Sequence, residues 1–411
     1  MLKEMVKRYY HGHIDNRFLR QGLISFRKLT RANKKIKIIF ICQMPQLWNK
    51  ISDVYYEMLQ DSRIEVYIVV VPDVSVSQEN QENSIRFFKG IKGKIIVAKT
   101  VNGWYPIRNI KPNYVFYQRR YDAYLPEEYR SFCVAAYARV CYIPYAYACT
   151  KPVEHSCYNQ DFFANVYMFF AENGYAKKLI IEREKELYAK KQKNAYYLGY
   201  PALDNIRKSK GIKGHFWMED DPRYKILWCP RWTTDVNLGA SNFFEYKDFF
   251  IEWVNKRKNT SVVFRPHPMM FSNFEKTGEM SGEEAKQYLN NYMEHERLMY
   301  DNYAEYYTTL WNSDVLVADL TTVIIEYFVV RKPIIYCVAD IEYNDFMKKV
   351  ISGCYCVHNG QELADTLDML ERGEDPLLDE RNRIADYLLK GKEDTAKVIV
   401  SKIKEDFYSG K

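Results

Sequence analysis

The sequence predicts an α/β protein built from two Rossmann-like, doubly wound domains that face a cleft. Three observations lead to this prediction: short β-branched runs typical of buried parallel strands, helical segments that alternate with them, and a polar stretch that divides the alternation into two series. At 411 residues, the chain is long enough for two domains of ordinary size. The alternative is a single large α/β domain with an insertion.

The first series predicts an N-terminal domain over residues 35–210. No Gly-x-Gly-x-x-Gly follows its first strand, so the dinucleotide-binding fingerprint is missing. Helices are predicted over Trp48–Leu59 and over the charged segment Lys177–Lys191. The predicted strands are Ile36–Cys42, Ile64–Val71, Ile95–Val97, Tyr114–Tyr117, Cys141–Tyr145, 166–175 and 195–201.

The second series predicts a C-terminal domain over residues 211–385, followed by a C-terminal helix over 386–411. The boundary is placed in the polar segment 206–222, which contains Gly211, Gly214 and Pro222. The predicted strands are 225–229, 261–264, 315–318, 334–338 and 354–357. The helices between them are expected to begin near Lys247, Gly282, Thr322, Asp340 and Gln361.

Side chains that suit a phosphate follow two strands of the second series. One strand runs into Arg265 and His267, and another runs into Asp319, Thr321 and Thr322. Ligands of open α/β sheets bind beyond the carboxyl ends of the strands, and Arg holds phosphate oxygens through two parallel hydrogen bonds. Thr322 also precedes a predicted helix, whose first N–H groups favour an anion. The stretch 261–340 is therefore the predicted ligand-binding region.

The motifs of this region resemble those of the CDP-glycerol glycerophosphotransferase family, the polymerases and primases of teichoic acids and related capsules. That family has Arg-Pro-His-Pro, then Asp-Tyr-Ser-Ser, a carboxylate about four residues later, and Lys-Pro. Here Leu320 replaces an aromatic residue, two Thr replace two Ser, and Glu replaces Asp. The matching positions are Arg265–Pro268, Asp319–Thr322, Glu326, Lys332-Pro333, Gly199–Asp204 and Ile226–Trp232.

The resemblance implies the GT-B fold and a transferase, with residues 35–210 as the acceptor domain and residues 211–385 as the nucleotide-donor domain. Such an enzyme moves a polyol-phosphate group from a CDP-activated donor to the hydroxyl of a surface or capsular polymer, with CMP as the leaving group. Arg265 and His267, as imidazolium or hydrogen-bond donor, would stabilise the charge that grows on the phosphate oxygens. Thr321 and Thr322 would hold the second phosphate.

Four further residues complete the predicted donor site. Asp319 orients backbone or ribose, or alternatively caps the following helix. Glu326 lies one helical turn after Thr322, where a carboxylate in related folds binds ribose hydroxyls. Arg231 and Trp232 contact the cytosine or the phosphates, or else only pack the linker.

The first domain departs from the family pattern. Relatives carry a His-Gly there, followed by Thr-Pro, and this His looks like their general base. The corresponding segment is Tyr142–Tyr147, which contains no His. The candidate bases nearby are His155, Glu154 and Asp122: His155 fits best by its ordinary pKa, and Asp122 by its position after a strand.

The positive charge is concentrated at the N-terminus. The chain carries a net charge of +7, yet residues 1–37 hold eleven Lys or Arg against Glu4 and Asp15. The rest is therefore close to neutral, which argues against a nucleic-acid groove. Residues 1–34 are predicted to form a basic amphipathic helix that lies on an anionic membrane surface, or that packs on its own domain.

The remaining composition predicts a cytoplasmic protein, peripheral on the inner face of the cell membrane. No apolar run approaches the ~20 residues that span a bilayer, and no signal core appears. No metal-ligand cluster is visible, and no cofactor is expected besides the CDP-linked donor as substrate. The acceptor is expected to be lipid-linked or polymeric, and a homo-oligomer is left open. Two other functions stay open: a GT-B glycosyltransferase with a nucleotide sugar, and a catalytically silent partner in a polymer-synthesis complex.

Overall fold

The computed structural model describes Lys28 and residues 35–73, 76–158, 161–217, 221–238, 240–303 and 305–409. The predicted N-terminal helix over 1–34 therefore lies outside the described residues, apart from Lys28. The chain divides into two compact units, which differ slightly from the predicted domains. Unit 1 contains the described residues up to Tyr147, Cys157–Ala202 and those from Lys392 onward, and unit 2 contains Ala148–Ser156 and Leu203–Gly391.

The described strands are short, and all of their pairings are parallel except in one antiparallel hairpin, formed by Lys99–Thr100 and Gly103–Trp104. In chain order they are β1 Ile36–Cys42, β2 Ile64–Val70, β3 Lys94–Val97, β4 Lys99–Thr100, β5 Gly103–Trp104, β6 Tyr114–Tyr117, β7 Arg139–Tyr142, β8 Val166–Phe170, β9 Asn194–Tyr196, β10 Tyr224–Cys229, β11 Thr260–Phe264, β12 Leu298–Tyr300, β13 Val315–Ala318, β14 Ile334–Cys337 and β15 Tyr355–Val357.

Helices connect these strands, as right-handed crossovers between parallel strands require. They are α1 Ser52–Gln60, α2 Gln78–Lys89, α3 Ser131–Ala135, α4 Lys151–Tyr158, α5 Phe162–Asn165, α6 Gly174–Arg183, α7 Lys185–Ala189, α8 Pro201–Lys208, α9 Phe243–Lys256, α10 Met270–Thr277, α11 Gly282–Glu294, α12 Tyr307–Asn312, α13 Val323–Tyr327, α14 Asp345–Ile351, α15 Gly360–Glu371, α16 Leu378–Leu389 and α17 Thr395–Tyr408. In the described part of the chain, 3₁₀ turns lie at Pro45–Lys50, Ile107–Ile110, Asp122–Tyr124 and Glu127–Tyr129.

Unit 1 is a seven-stranded sheet in the order β3-β2-β1-β6-β7-β8-β9. Its central strands are buried on both faces, which explains their continuous apolar sequences. Aromatic rings pack across the strands: Phe40 stacks on Phe116 with centroids 4.8 Å apart, and Phe116 stacks on Phe170 at 6.2 Å. The strand order reverses between β1 and β6, so the topological switch point of this sheet lies there.

The last helix of the chain, α17, belongs to unit 1. Its partly buried Asp406 accepts hydrogen bonds from Tyr114 at 2.5 Å and Tyr167 at 2.7 Å, and forms an ion pair with Arg139. These three partners lie at the beginnings of β6, β7 and β8. Gly199, at φ +111°, approaches the start of α17 so closely that a Cβ would lie 2.9 Å from the carbonyl oxygen of Lys392.

Unit 2 is a six-stranded sheet in the order β12-β11-β10-β13-β14-β15. Its core is rich in aromatic residues: the Trp228 ring lies 4.5 Å from Phe250 and 4.7 Å from Phe264 by centroids, and it stacks on Phe243 at 5.8 Å. Here too the strand order reverses next to the first strand, between β10 and β13. The predicted α/β class with two Rossmann-like sheets is confirmed.

Most predicted elements appear, with three differences of interest. The predicted strand 166–175 ends at Phe170, because Asn173 caps α6 by accepting the N–H of Ala176 at 2.7 Å. The helix expected to begin near Thr322 covers only Val323–Tyr327, although the apolar run continues to Val330. The short strand β12 was not predicted. Within the described residues, no helix combines the length and the hydropathy that crossing a bilayer requires.

Candidate functional site

Four neighbouring strands of unit 2 bring polar residues to one edge of the sheet. Arg231, Arg265, Asp301 and Asp319 follow the carboxyl ends of β10, β11, β12 and β13 within three residues. These strands are mutually parallel and adjacent, so their carboxyl ends meet at the same edge. The edge includes the switch point between β10 and β13, which is where open α/β sheets bind ligands. Residues that the sequence predicted to bind a ligand therefore lie together at this edge.

Asp319 organises the loop that follows β10. Its carboxylate accepts the backbone N–H of Arg231 at 2.9 Å, the Ser241 hydroxyl at 2.9 Å and the N–H of Asn242 at 3.2 Å. Asp319 is 1% exposed, and burial raises its pKa to about 6 although these hydrogen bonds oppose the rise. Asp319 thus holds the backbone of this loop in place, and its predicted contact with a ribose stays a prediction.

Arg231 has its guanidinium fixed by backbone carbonyls. Its Nε and Nη2 donate to the carbonyl of Leu238 at 3.1 and 2.6 Å, and its Nη1 donates to that of Leu320 at 3.1 Å. The side chain therefore joins the loops after β10 and β13 at the switch point. Trp232 is half-buried and packs against the aromatic core of unit 2.

Arg265 is held from two sides. Its Nη1 forms an ion pair with Asp301 at 2.9 Å and donates to the carbonyl of Tyr303 at 3.0 Å, while its guanidinium lies 4.2 Å from the ring centroid of Tyr306. Burial raises the pKa of the Asp301 carboxyl, and the charge of Arg265 works against that rise. The fixed guanidinium is preorganised for an anion, so little entropy is lost when it binds one.

Glu326 lies behind this arrangement. It is 1% exposed, and its carboxylate accepts the hydroxyl of Tyr306 at 2.5 Å, so it supports the ring on which Arg265 rests. Thr322 precedes the five-residue helix α13, and its hydroxyl makes no capping bond to that helix. Thr321 and Thr322 are both half-buried at the sheet edge. Ribose binding by Glu326 and phosphate binding by the two Thr remain predictions.

His267 has solvent-exposed surface. Protein atoms nevertheless surround its imidazole closely enough to desolvate it. Desolvation lowers its pKa to about 4, and the charges of Arg231 and Arg265 act in the same direction. Its Nδ1 accepts the N–H of Met269 at 3.2 Å. At neutral pH the ring is therefore uncharged and carries its proton on Nε2, which makes it a hydrogen-bond donor and not an imidazolium.

Two of the three candidate bases, Asp122 and His155, have different surroundings. Asp122 belongs to unit 1, and its carboxylate accepts both the N–H of Ser131, at 2.8 Å, and the hydroxyl of the same residue. Burial raises the pKa of Asp122. His155 is an exposed residue of α4 in the segment assigned to unit 2. Their catalytic roles stay predictions.

Three residues of the site escaped the sequence analysis. Asp301 follows the unpredicted strand β12, and Tyr303 and Tyr306 lie in the loop after it. An Asp directly after the apolar residues Leu298–Tyr300 was the signal, but three residues are too few to indicate a strand. Among the described residues, no grouping of three or more His, Cys, Asp and Glu side chains could hold a metal ion.

The fold and the site define a two-unit α/β protein whose second sheet gathers Arg231, Arg265 and Asp319 at one carboxyl edge. The sequence profile of the CDP-glycerol:poly(glycerophosphate) glycerophosphotransferases matches residues 155–390, more than half of the chain. The chain belongs to this family of transferases, as its motifs predicted.

Individual relatives agree with this assignment. The minor teichoic acid biosynthesis protein GgaB of Bacillus subtilis (strain 168) is 23% identical over 170 residues, which span 36% of this chain and only 16% of GgaB. One structure of the wall teichoic acid polymerase TagF has a TM-score of 0.60 at 13% identity and covers 100% of this chain and 98% of its own.

A UDP-N-acetylglucosamine 2-epimerase from Listeria monocytogenes also has a TM-score of 0.60, at 16% identity, covering 91% of this chain and 97% of its own. At such identities the structural likeness concerns the fold alone.

Proposed function

We propose that this chain transfers a polyol-phosphate group from a CDP-activated donor, such as CDP-glycerol, to a hydroxyl of a teichoic-acid-like or capsular polymer. The observation that carries this proposal is the convergence of Arg231, Arg265, His267 and the two Thr at the carboxyl edge of the unit 2 sheet. All of them lie within the stretch that matches the family profile. TagF and GgaB, by their names, act in teichoic acid synthesis.

The proposed reaction is an attack of the acceptor hydroxyl oxygen on the phosphorus that carries the polyol. The new P–O bond forms, the bond to the CMP phosphate breaks, and the proton of the hydroxyl passes to a base. Negative charge grows on the phosphate oxygens and on the leaving CMP, where preorganised donors are most effective. His267 Nε2–H and Arg265 are the donors assigned to that charge, and Thr321 and Thr322 are assigned to the remaining phosphate.

The acceptor, the membrane and the cofactors complete the proposal. The acceptor would be a lipid-linked or free polymer, and the basic residues 1–34 would bring the protein to the anionic inner face of the membrane. The CDP-linked donor would be the substrate, with no further cofactor required. The proposed function neither requires nor excludes a homo-oligomer.

Nucleotide binding tests the proposal. In a thermal-shift series on the full chain, CDP and CMP should stabilise the protein, and a ligand at about 100 times its dissociation constant adds about 2.7 kcal/mol. UDP and GDP at the same concentration should give smaller shifts. Equal shifts for all four nucleotides, or a preference for UDP, would instead support a nucleotide-sugar transferase. No shift with any of them would support a catalytically silent partner.

A further inference from the structure

Unit 1 contains a polar cluster at the carboxyl edge of its own sheet. Arg120 follows β6, Tyr145 follows β7, and Glu172 follows β8, so three adjacent strands place these residues side by side. β6 also borders the switch point of this sheet. We name Arg120, Tyr121 and Tyr145, together with the buried Glu172, the Arg120 cluster.

Two tyrosine rings flank the guanidinium of Arg120. It lies 4.8 Å from the ring centroid of Tyr121 and 5.5 Å from that of Tyr145, and the two phenol oxygens are 3.0 Å apart. Arg120 also donates to the Tyr121 hydroxyl at 2.9 Å and to the sulfur of Cys157 at 2.7 Å. Arg120, Tyr121 and Tyr145 are each half-buried, so all three keep some surface in contact with solvent.

The charge of Arg120 has no ion-pair partner in the part of the chain that the structure describes. Its Nε is buried and makes no hydrogen bond. A guanidinium withdrawn from water is normally paired with a carboxylate or a phosphate, because desolvation otherwise costs free energy. By contrast, the charge of the neighbouring Arg119 is paired with Asp73 at 2.7 Å, although the Nε of Arg119 also lacks a hydrogen bond.

Glu172 does not neutralise Arg120 by contact. Its residue is 2% exposed, one carboxyl oxygen accepts the hydroxyl of Tyr158, and the other, Oε2, is buried without a hydrogen-bond partner. Burial raises the pKa of Glu172 to about 7, and the hydrogen bond from Tyr158 and, to a smaller extent, the charge of Arg120 oppose this rise only partly. At neutral pH a large fraction of Glu172 is therefore uncharged, and the cluster keeps a net positive charge.

We propose that the Arg120 cluster is a subsite of unit 1 that binds a phosphodiester of a polyol-phosphate chain. The guanidinium offers the fork of donors that fits phosphate oxygens, and the phenol groups of Tyr121 and Tyr145 suit the hydroxyls of the adjacent polyol. The inference rests on the proposed function, which supplies this class of acceptor. It names the side chains by which the predicted acceptor domain would hold the chain, in the absence of the His that relatives carry there.

The test is binding of a synthetic glycerol-phosphate trimer to the full chain, by calorimetry, with inorganic phosphate and free glycerol as comparison ligands. Arg120→Gln should weaken trimer binding at least about 10-fold, since it removes charge-assisted hydrogen bonds, and Tyr145→Phe should weaken it about 3-fold. Arg108→Gln is the matched control, because Arg108 also lies over a tyrosine ring of unit 1, 5.8 Å from Tyr137, but is exposed.

Three results would overturn the subsite: no trimer binding to the wild type, unchanged affinity in Arg120→Gln, or inorganic phosphate binding as tightly as the trimer. The last would identify a simple anion site. If Arg120→Gln lowers the melting temperature strongly, Tyr145→Phe carries the test, and unchanged affinity there overturns the subsite. CMP affinity is measured in parallel: its absence would refute the proposed function, whereas its persistence in Arg120→Gln separates the two sites.

Discussion

Asp301 forms an ion pair with Arg265 at 2.9 Å and holds its guanidinium 4.2 Å from the ring centroid of Tyr306, and the Asp301 side chain has no exposed surface. This pair determines the direction in which Arg265 presents its donors at the carboxyl edge of β11. The ion pair is more than a stabilising contact, because an arginine fixed in advance binds phosphate with less loss of conformational entropy than a mobile one.

Asp301→Asn should loosen Arg265 and leave its charge unpaired. We expect a stability loss of about 1–3 kcal/mol and a rise in the KM for the CDP-linked donor of roughly 10-fold. Denaturant unfolding and steady-state kinetics measure the two effects. Asp368→Asn, which breaks the partly exposed pair with Arg257 in the same unit, should cost ~0–1 kcal/mol and leave KM unchanged. Equal effects of both variants on KM would contradict the positioning role.

His267 should titrate far below an ordinary histidine. Its pKa is lowered to about 4, so an NMR titration, with the resonance assigned by its loss in His267→Gln, should find a midpoint below pH 5. As pH falls, this histidine is protonated near pH 6.5 in the unfolded chain but only near pH 4 in the native protein. The native protein should therefore lose stability relative to His267→Gln as pH falls from about 6.5 to 4. A midpoint between 6 and 7 would restore the imidazolium role.

Glu172 should make the protein less stable as pH rises. Its pKa is raised from 4.5 to about 7, so between these values the unfolded chain has lost a proton that the folded chain keeps. Stability should therefore fall through this window by at most on the order of 3 kcal/mol and then level off. Glu172→Gln should remove that slope in urea unfolding between pH 5 and 8. Identical pH profiles of variant and wild type would show that Glu172 keeps an ordinary pKa.

Removal of residues 1–30 should release the protein from anionic vesicles while CMP binding persists. The reason is that the net positive charge is confined to residues 1–37 and the rest of the chain is nearly neutral. Co-sedimentation should also weaken with salt, as the Debye length shortens from ~10 Å at 0.1 M to ~3 Å at 1 M. If the full chain ignores vesicles at any salt and the truncated one unfolds by circular dichroism, this segment covers its own domain instead.

The periodicity of the sequence was sufficient to predict both sheets, because buried parallel strands such as β1 and β13 are continuous apolar runs with polar ends. It also predicted the strand-end residues Arg265, His267 and Asp319. It could not predict Asp301, because β12 is only three residues long. Nor could it predict that α17 packs on unit 1, since Asp406 and its partner Tyr114 are 292 residues apart. The Arg120 cluster likewise exists only once the order of β6, β7 and β8 is known.

The central claim is that the unit 2 edge transfers a polyol phosphate from a CDP-linked donor, and a transfer assay tests it most directly. CDP-glycerol that carries a label in its glycerol group is incubated with the full chain and a poly(glycerol phosphate) primer. The amount of label in the primer is then compared with the amount of CMP released. We predict one CMP for each glycerol phosphate transferred.

His267→Ala should reduce the rate about 100-fold or more at an unchanged melting temperature, as loss of a preorganised donor does. The control His358→Ala, an exposed histidine of the same unit, should remain fully active. Absence of transfer in the wild type, or full activity of His267→Ala, would contradict the account.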